Sequence, residues 1–592
     1  MGSIDPITVE VIRYLFISAA EEMKINLARS GYNPVVFEML DFAVGVFDEE
    51  ANMVAQAPGL LVFLGTLREN IKTIVEDIGG AGKLQPGDVY VLNDPYSGGT
   101  HLLDVTCVMP VFVADELLGF SVAKMHWVDI GGKDAGSYSN DTTNIYQEGL
   151  RLRSIKLYDA GRPVQPVLDI IRQNVRLNHS VMGDLRAQLA ACRTGEKRFQ
   201  SIVSLYGKET VRQAKEEFMN HAEKMARLAI AAIPNGSYEA EGWLDNDSLN
   251  LRGEHLPIHV AVTIKGTEMK VDLTGSHAQN FGPVNCGLAA TTSAVRVGFK
   301  CVTTPHVPIN EGSFRPLSVV VPDDSMYNAK YPAPCCQFGR HLLSMIDTFL
   351  KAMAPALPGR IPAGHYCDLG ILSMSGTDPR TSHEFIHVDS SSGGWGGCEG
   401  KDGESTLIAI QDGDSKNVPV ELMEHRYPLR MRQFVLRQDS CGAGLFRGGL
   451  GHVRDFEILS DDLRLLTSVE RHGYRPWGVF GGEDGLSNDA ILQNGAKRPR
   501  QVRKVTNYRL RYGNVLSMVS GGGGGYGPAE KRDPARVLAD VIDGYISPSH
   551  AREHYKVVIR RKRSGFALDA AATQSLRNGS SGRARTAGHG PG

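Results

Sequence analysis

Between residues 361 and 530 the glycines of this chain fall in blocks: Gly393, Gly394, Gly396 and Gly397; Gly448, Gly449 and Gly451; Gly481 and Gly482; then Gly521 to Gly525 without a break. Segments like these have no side chains with which to build a core. They either stay disordered or bring backbones close together through tight turns. The runs between them are apolar and β-branched, which selects close packing. In all, 66 of the 592 residues are glycine, about 11% against a usual ~7%. The remaining composition, 42% hydrophobic and 22% charged, is that of an ordinary globular protein. The length predicts two to four domains. A net charge of -2 gives no basic surplus for nucleic acid or an anionic membrane.

Local patterns alternate between helix and strand, an α+β arrangement. Ile7, Val11, Ile12, Leu15, Ala19, Met23 and Leu27 predict a helix over 6–29, with Asp5 as its cap and Pro6 in its first turn. Phe42, Val44 and Val46 alternate before the turn at 48–52, a hairpin signature. A second helix is expected over 65–78, stopped by Gly79 and Gly80. Strand-like runs follow at 89–92, 105–113 and 117–125. Residues 165–233 are helical in pattern, and strands return near 258–264 and 269–273. Further helices are expected near 285–303 and 337–354. These shifts divide the chain into an N-terminal metal-bearing α+β region (1–235), a central α+β region (236–360) and a glycine-rich β region (361–559). Residues 560–592, rich in Arg, Gly, Ser and Ala, are expected to form a disordered tail. The N-terminus shows no secretory signal, and no run of 18 apolar residues occurs, since Asp115 and Glu116 interrupt 105–122. A cytoplasmic protein is expected.

The chemistry concentrates near residue 100. His101 and Asp104 lie three apart at a loop-to-strand junction, after Gly98 and Gly99. His126 closes the run that follows. Two imidazoles and a carboxylate form a donor set for a divalent metal such as zinc or manganese, with positions left open for water or substrate. The short turn at 114–116 pairs the flanking runs antiparallel. Reflection about residue 115 sets 104 opposite 126. The competing reading is that these residues only hydrogen-bond. Asp41, at the start of the first strand, is a candidate fourth ligand or proton carrier. Glu148 is a candidate acid or base. For each, an ordinary strand-end or surface carboxylate is the plainer alternative.

Other chemistries find little support. The nine cysteines include no CxxC pair and read as buried thiols. No GxxxxGK[ST] loop is present; residues 79–83 are too short and lack the hydroxyl after Lys83. No GxSxG elbow occurs.

The segment Asn93 to Asp104, Asn-Asp-Pro-Tyr-Ser-Gly-Gly-Thr-His-Leu-Leu-Asp, resembles the hallmark of the hydantoinase B/oxoprolinase family. Further matching stretches follow in family order: 129–132, 146–149, 308–316, 439–451, 476–478 and 521–527. The resemblance implies a large multi-layer fold with glycine-rich β segments in the C-terminal half. It also implies the B-type subunit of an ATP-dependent cyclic-amide hydrolase acting on a hydantoin, 5-oxoproline or lactam. An A-type ATPase partner would hold the ATP, in keeping with the missing phosphate loop here. The implied metal ligands are His101, Asp104 and His126, with Asp41 as the fourth. Related subunits serve acetone and acetophenone carboxylases, so a ketone carboxylase is the first alternative and a non-catalytic scaffold for the ATPase the second. Phe63 stands where oxoprolinases are expected to carry His, and Cys441 where glycine is usual. Trp127, next to His126, is expected to narrow the pocket.

Overall fold

The computed structural model describes residues 4–250, 255–495, 498–563 and 565–584. The first helix, α1 (Pro6–Ser30), begins as its sequence dictates: the Asp5 carboxylate accepts a hydrogen bond from the Thr8 amide at 3.1 Å. After the short α2 (Pro34–Phe37) come β1 (Phe42–Asp48), β2 (Met53–Gln56), α3 (Leu61–Leu64) and α4 (Leu67–Asp77). Strands β3 (Val89–Leu92), β4 (Asp104–Val113), β5 (Glu116–His126), β6 (Ile155–Asp159) and β7 (Arg162–Pro163) complete a seven-stranded sheet, ordered β2-β1-β5-β4-β3-β6-β7. Helices α5 (Gln165–Asn174), α6 (Asn178–Tyr206) and α7 (Lys208–Ala231) follow.

The central strands are apolar on both faces because both are covered. Val105, Cys107, Met109, Ala123 and Met125 pack with Ile12 and Phe16 of α1 and Leu185 of α6. Phe47, Val108, Phe120 and Val122 pack on the opposite side with Phe63 and Leu67. That second core continues into a four-stranded sheet of β8 (Gly236–Leu244), β9 (Leu256–Lys265), β10 (Glu268–Asp272) and β11 (Leu317–Val320). It also takes in α8 (Leu288–Val302) and α9 (Phe338–Met353). Every residue of α9 except Lys351 is buried, so this helix runs through the interior. The core therefore crosses the boundary expected at residue 235.

The glycine-rich region contributes β12 (Ile371–Thr377), β13 (Glu384–Asp389), α10 (Val420–Arg426), β14 (Leu429–Leu436), β15 (His452–Ile458), β16 (Leu463–Ser468), β17 (Asp489–Gln493), β18 (Arg500–Gln501), β19 (Lys504–Leu510) and β20 (Val515–Val519). They form two sheets, β13-β12-β16-β19 and β14-β15-β20-β17-β18, over a shared core that includes Met374, Phe456, Leu465 and Leu516.

The glycine blocks themselves lie outside the sheets, in extended segments that bond sideways in three directions. The amides of Gly522 and Gly525 donate to Leu486 and Glu483; those of Gly523 and Tyr526 donate to Gly449 and Phe446. The carbonyls of Gly521 and Gly524 accept from Gly394 and Gly397. Each neighbour is met every third residue, the repeat of a polyproline II helix, which has no internal hydrogen bonds to satisfy its backbone. Neighbouring segments satisfy it here, and only a residue without Cβ lets them approach. A Cβ on Gly523 would stand 2.0 Å from the Trp395 carbonyl oxygen.

The C-terminal part corrects the expectation of a disordered tail. After α11 (Pro534–Ile542) and α12 (Pro548–Glu553), β21 (Ile559–Lys562) pairs antiparallel with β22 (Gly565–Leu568), and α13 (Ala570–Ala584) follows. Few aromatics are needed, because Ile559, Phe566 and Leu568 pack on a small existing core around Val537, Val541 and Tyr555. Residues 585–592 of the expected tail lie outside the described residues.

Candidate metal centre

The β4–β5 hairpin carries the centre. Asp104 pairs directly with His126; beside the turn Val113 pairs with Glu116, and the register shift at Val111/Phe112 supplies the extra residue that brings 104 opposite 126. His101 approaches from the preceding loop. Its Nδ1 lies 2.8 Å from Asp104 Oδ2, and His126 Nδ1 lies 3.1 Å from Asp104 Oδ1. The ligand-capable atoms of the three residues fall within 4.8 Å of one another, and all three residues are buried. Asp41 joins from the adjacent strand: the His126 amide donates to the Asp41 carbonyl at 3.1 Å, continuing the β1–β5 ladder.

The unsatisfied atoms fit a cation. His101 Nδ1 has no hydrogen-bond partner despite its nearness to Asp104, and Asp41 Oδ1 is likewise buried and unpartnered. Buried polar atoms are rarely left so; the residues close enough to hold one ion together are His101, Asp104 and His126, and Asp41 is not among them. Burial alone would raise the Asp104 carboxyl, but the charges of the His101 and His126 imidazoles beside it and the hydrogen bond with His126 outweigh it and hold it well below the usual carboxylate range. The Thr100 hydroxyl also donates to Asp104. Burial pushes Asp41 up to about 7; His126 opposes the rise, and Asp104 and Asp412 add to it.

Asp41, His101 and His126 face a cavity of about 70 Å³. Leu60, Val62 and Phe63 of the α3 segment form one apolar wall, with Tyr138 and Phe338 beside the imidazoles. The Phe338 ring meets the His101 ring edge to face at 4.8 Å. Lys124, buried behind Phe63, sits 5.3 Å from that ring and donates to Thr66 at 2.9 Å. Ser390, Gln411 and Asp412 supply polar lining. Gln411 Oε1 is buried without a partner, and burial pushes Asp412 up to about 7. No spacing signal tied these three, or Phe338, to residues three hundred positions earlier.

Two sequence candidates lie elsewhere. Glu148 is buried but does not line this cavity. Its carboxylate accepts from the Cys335 and Cys336 amides, each at 3.0 Å, and from the Thr142 hydroxyl at 2.9 Å. It braces the segment leading into α9. Trp127 does not narrow the pocket either: strand alternation turns it away from His126 into the α6-facing core, where its Nε1 donates to Gln188 at 3.2 Å. The sequence reading also missed a second cluster, Asp347, His365 and Cys367. There Asp347 is already ion-paired with Arg471 and accepts from Trp477 at 2.8 Å.

A His–Asp–His set at one end of a hairpin, beside a largely apolar cavity on an α+β scaffold with a glycine bundle, is a candidate divalent-metal site. The chain belongs to the hydantoinase B/oxoprolinase family, whose model matches residues 5–529. A Pseudomonas sp. (strain NS671) protein named as the B-type subunit of a D-/L-hydantoinase is 34% identical, covering 94% of this chain and 96% of that one. The crystal structure of an ATP-dependent caprolactamase from Pseudomonas jessenii superposes with a TM-score of 0.90 at 29% identity, covering 98% of this chain and 100% of that one. A nucleotide-free acetone carboxylase shares the fold, with a TM-score of 0.90 at 19% identity over 99% of this chain and 84% of that one. Among the described residues no helix is long and apolar enough to cross a membrane.

Proposed function

We propose that this chain is the metal-bearing subunit of an ATP-dependent cyclic-amide hydrolase. It would open a hydantoin, 5-oxoproline-like or lactam ring that an A-type partner has activated by phosphorylating the ring carbonyl oxygen. The convergence of His101, Asp104 and His126, with the unpartnered Asp41 oxygen on the same cavity, carries this reading. His101, Asp104 and His126 would hold the ion, and a zinc or manganese ion, when bound, supplies Lewis acidity toward an oxygen nucleophile at neutral pH. Asp412, whose carboxyl sits near neutrality, is placed to take up a proton at its Oδ atoms. Gln411 Oε1 offers an acceptor to a ring N–H. Leu60, Val62, Phe63 and Phe338 give the site an apolar side against which the ring's carbon atoms would lie. The relatives' names, one component of a hydantoinase and an ATP-dependent caprolactamase, support the need for a partner and for ATP.

Co-expression with the A-type partner, metal analysis, and an ATP-dependent screen of hydantoins and lactams tests this. His101→Ala should remove bound metal and lower ring opening at least 100-fold while leaving assembly intact. Full ATP-coupled hydrolysis by that variant would overturn the reading. Product formation that requires bicarbonate would transfer the assignment to a carboxylase.

A further inference from the structure

A second cavity lies across α3 from the metal centre. Leu60, Val62 and Phe63 line the first; Leu61, Leu64 and Gly65 line the second. Helix α8 forms its opposite wall with Val297 and Lys300, and Phe314 helps close it. The cavity's volume is about 180 Å³.

The charges around this apolar space do not balance. Arg296, also on the wall, is already neutralised: its guanidinium lies 2.7 Å from Glu311 Oε1 and 4.6 Å from the Phe314 ring centre. Arg68 shares the same carboxylate at 3.5 Å. Lys300 is only 7% exposed. Its ammonium donates to the Thr304 hydroxyl at 2.7 Å and pairs with no carboxylate among the described residues. Burial pushes its amine down to about 8, so it remains largely protonated at neutral pH. A buried ammonium without a counter-charge is costly, and an anion entering this cavity would relieve that cost.

We propose that this cavity is a second small-molecule site, taking a monocarboxylate with a compact apolar body. The carboxylate pairs with Lys300, and the body packs against Leu61, Leu64, Val297 and Phe314. A 150 Å³ cavity holds benzene, so a ligand of about six to eight non-hydrogen atoms suits this one. A neutral amide of the same shape leaves the ammonium unpaired. Inorganic phosphate leaves the apolar walls uncovered. The assignment stands apart from the reaction proposed for the metal centre.

Calorimetry of the full chain with sodium hexanoate tests it. Hexanoate should bind with one-to-one stoichiometry, and hexanamide at least tenfold more weakly. Lys300→Met, which keeps the apolar stem, should weaken hexanoate at least tenfold. Val297→Phe, which fills the cavity and leaves the charge in place, should do the same. His101→Ala should bind hexanoate as the unaltered chain does, which separates this site from the metal centre. Failure of hexanoate to bind overturns the proposal, as does equal binding of hexanamide. So does undiminished binding in either cavity variant, or loss of binding in His101→Ala. Should Lys300→Met fail to fold, the hexanoate–hexanamide comparison on the unaltered chain and the Val297→Phe result still decide.

Discussion

Glu148 shows how one carboxylate can look catalytic in a sequence and prove to be a brace. Two amides and a hydroxyl donate to it, and none of its contacts faces the metal cavity. Removing it in Glu148→Ala leaves two buried amides without acceptors, an expected loss of about 3 kcal/mol in chemical denaturation. Its pH dependence has a definite sign. Burial outweighs the hydrogen bonds of Cys335, Cys336 and Thr142 and pushes the folded pKa from 4.5 up to about 7. The folded state therefore binds the proton more tightly than the unfolded chain. Its contribution to stability is full below 4.5 and lost as pH rises through 7. Glu148→Gln keeps one acceptor oxygen and does not titrate. The stability of the unaltered chain relative to this variant should fall between pH 4.5 and 7, and a flat difference over that window would refute the assignment.

At the scale of elements, the site was most legible where local rules set it. The short turn joining β4 and β5 made the hairpin legible, and together with the register shift at Val111/Phe112 it placed Asp104 beside His126. Asp41 entered as a carboxylate at the start of the first strand and as the fourth ligand the family resemblance implies. The far wall was not legible: Tyr138, Phe338, Gln411 and Asp412 arrive from separate segments, and nothing in their own neighbourhoods encodes that meeting. Trp127 was misplaced because the alternation that turns His126 toward the cavity turns the next residue away. Gln188 of α6 ties these elements together. Its Nε2 donates to the Val105 and Ala123 carbonyls at 2.7 and 2.8 Å, and its Oε1 accepts from Trp127. Gln188→Leu strands three polar groups in the core. It should cost about 2–4 kcal/mol and weaken metal binding about 10–100-fold without touching a ligand. Metal titration beside thermal denaturation would separate the two effects, and unchanged metal affinity would show that α6 does not position the hairpin.

For the whole molecule, the glycine blocks set a constraint that composition announced and only the long-range contacts explain. The sequence excluded a side-chain core there and required close backbone approach. It could not show that blocks as far apart as Gly394 and Gly521 bond to each other through their backbones. The tail was misread for a related reason: the apolar residues that order β21 and β22 belong to a core assembled mostly from residues 441–557, so its own composition understates its packing. Because the glycine bundle has no side chains to yield, a single added methyl group has nowhere to go. In Gly523→Ala the new Cβ would stand 2.0 Å from the Trp395 carbonyl oxygen and 2.1 Å from its carbon. Both are backbone atoms of Trp395, whose carbonyl accepts from the Gly449 amide and whose amide donates to Glu404. A loss of at least about 3 kcal/mol is expected, read as a lowered Tm or failure to accumulate folded chain. Gly82→Ala supplies the contrast: a Cβ there meets nothing within 4 Å, and its backbone does not require positive φ. It should change stability by no more than about 1 kcal/mol, in the stabilising direction. If both variants melt alike, the glycine blocks are spacers rather than the packed centre of the C-terminal half.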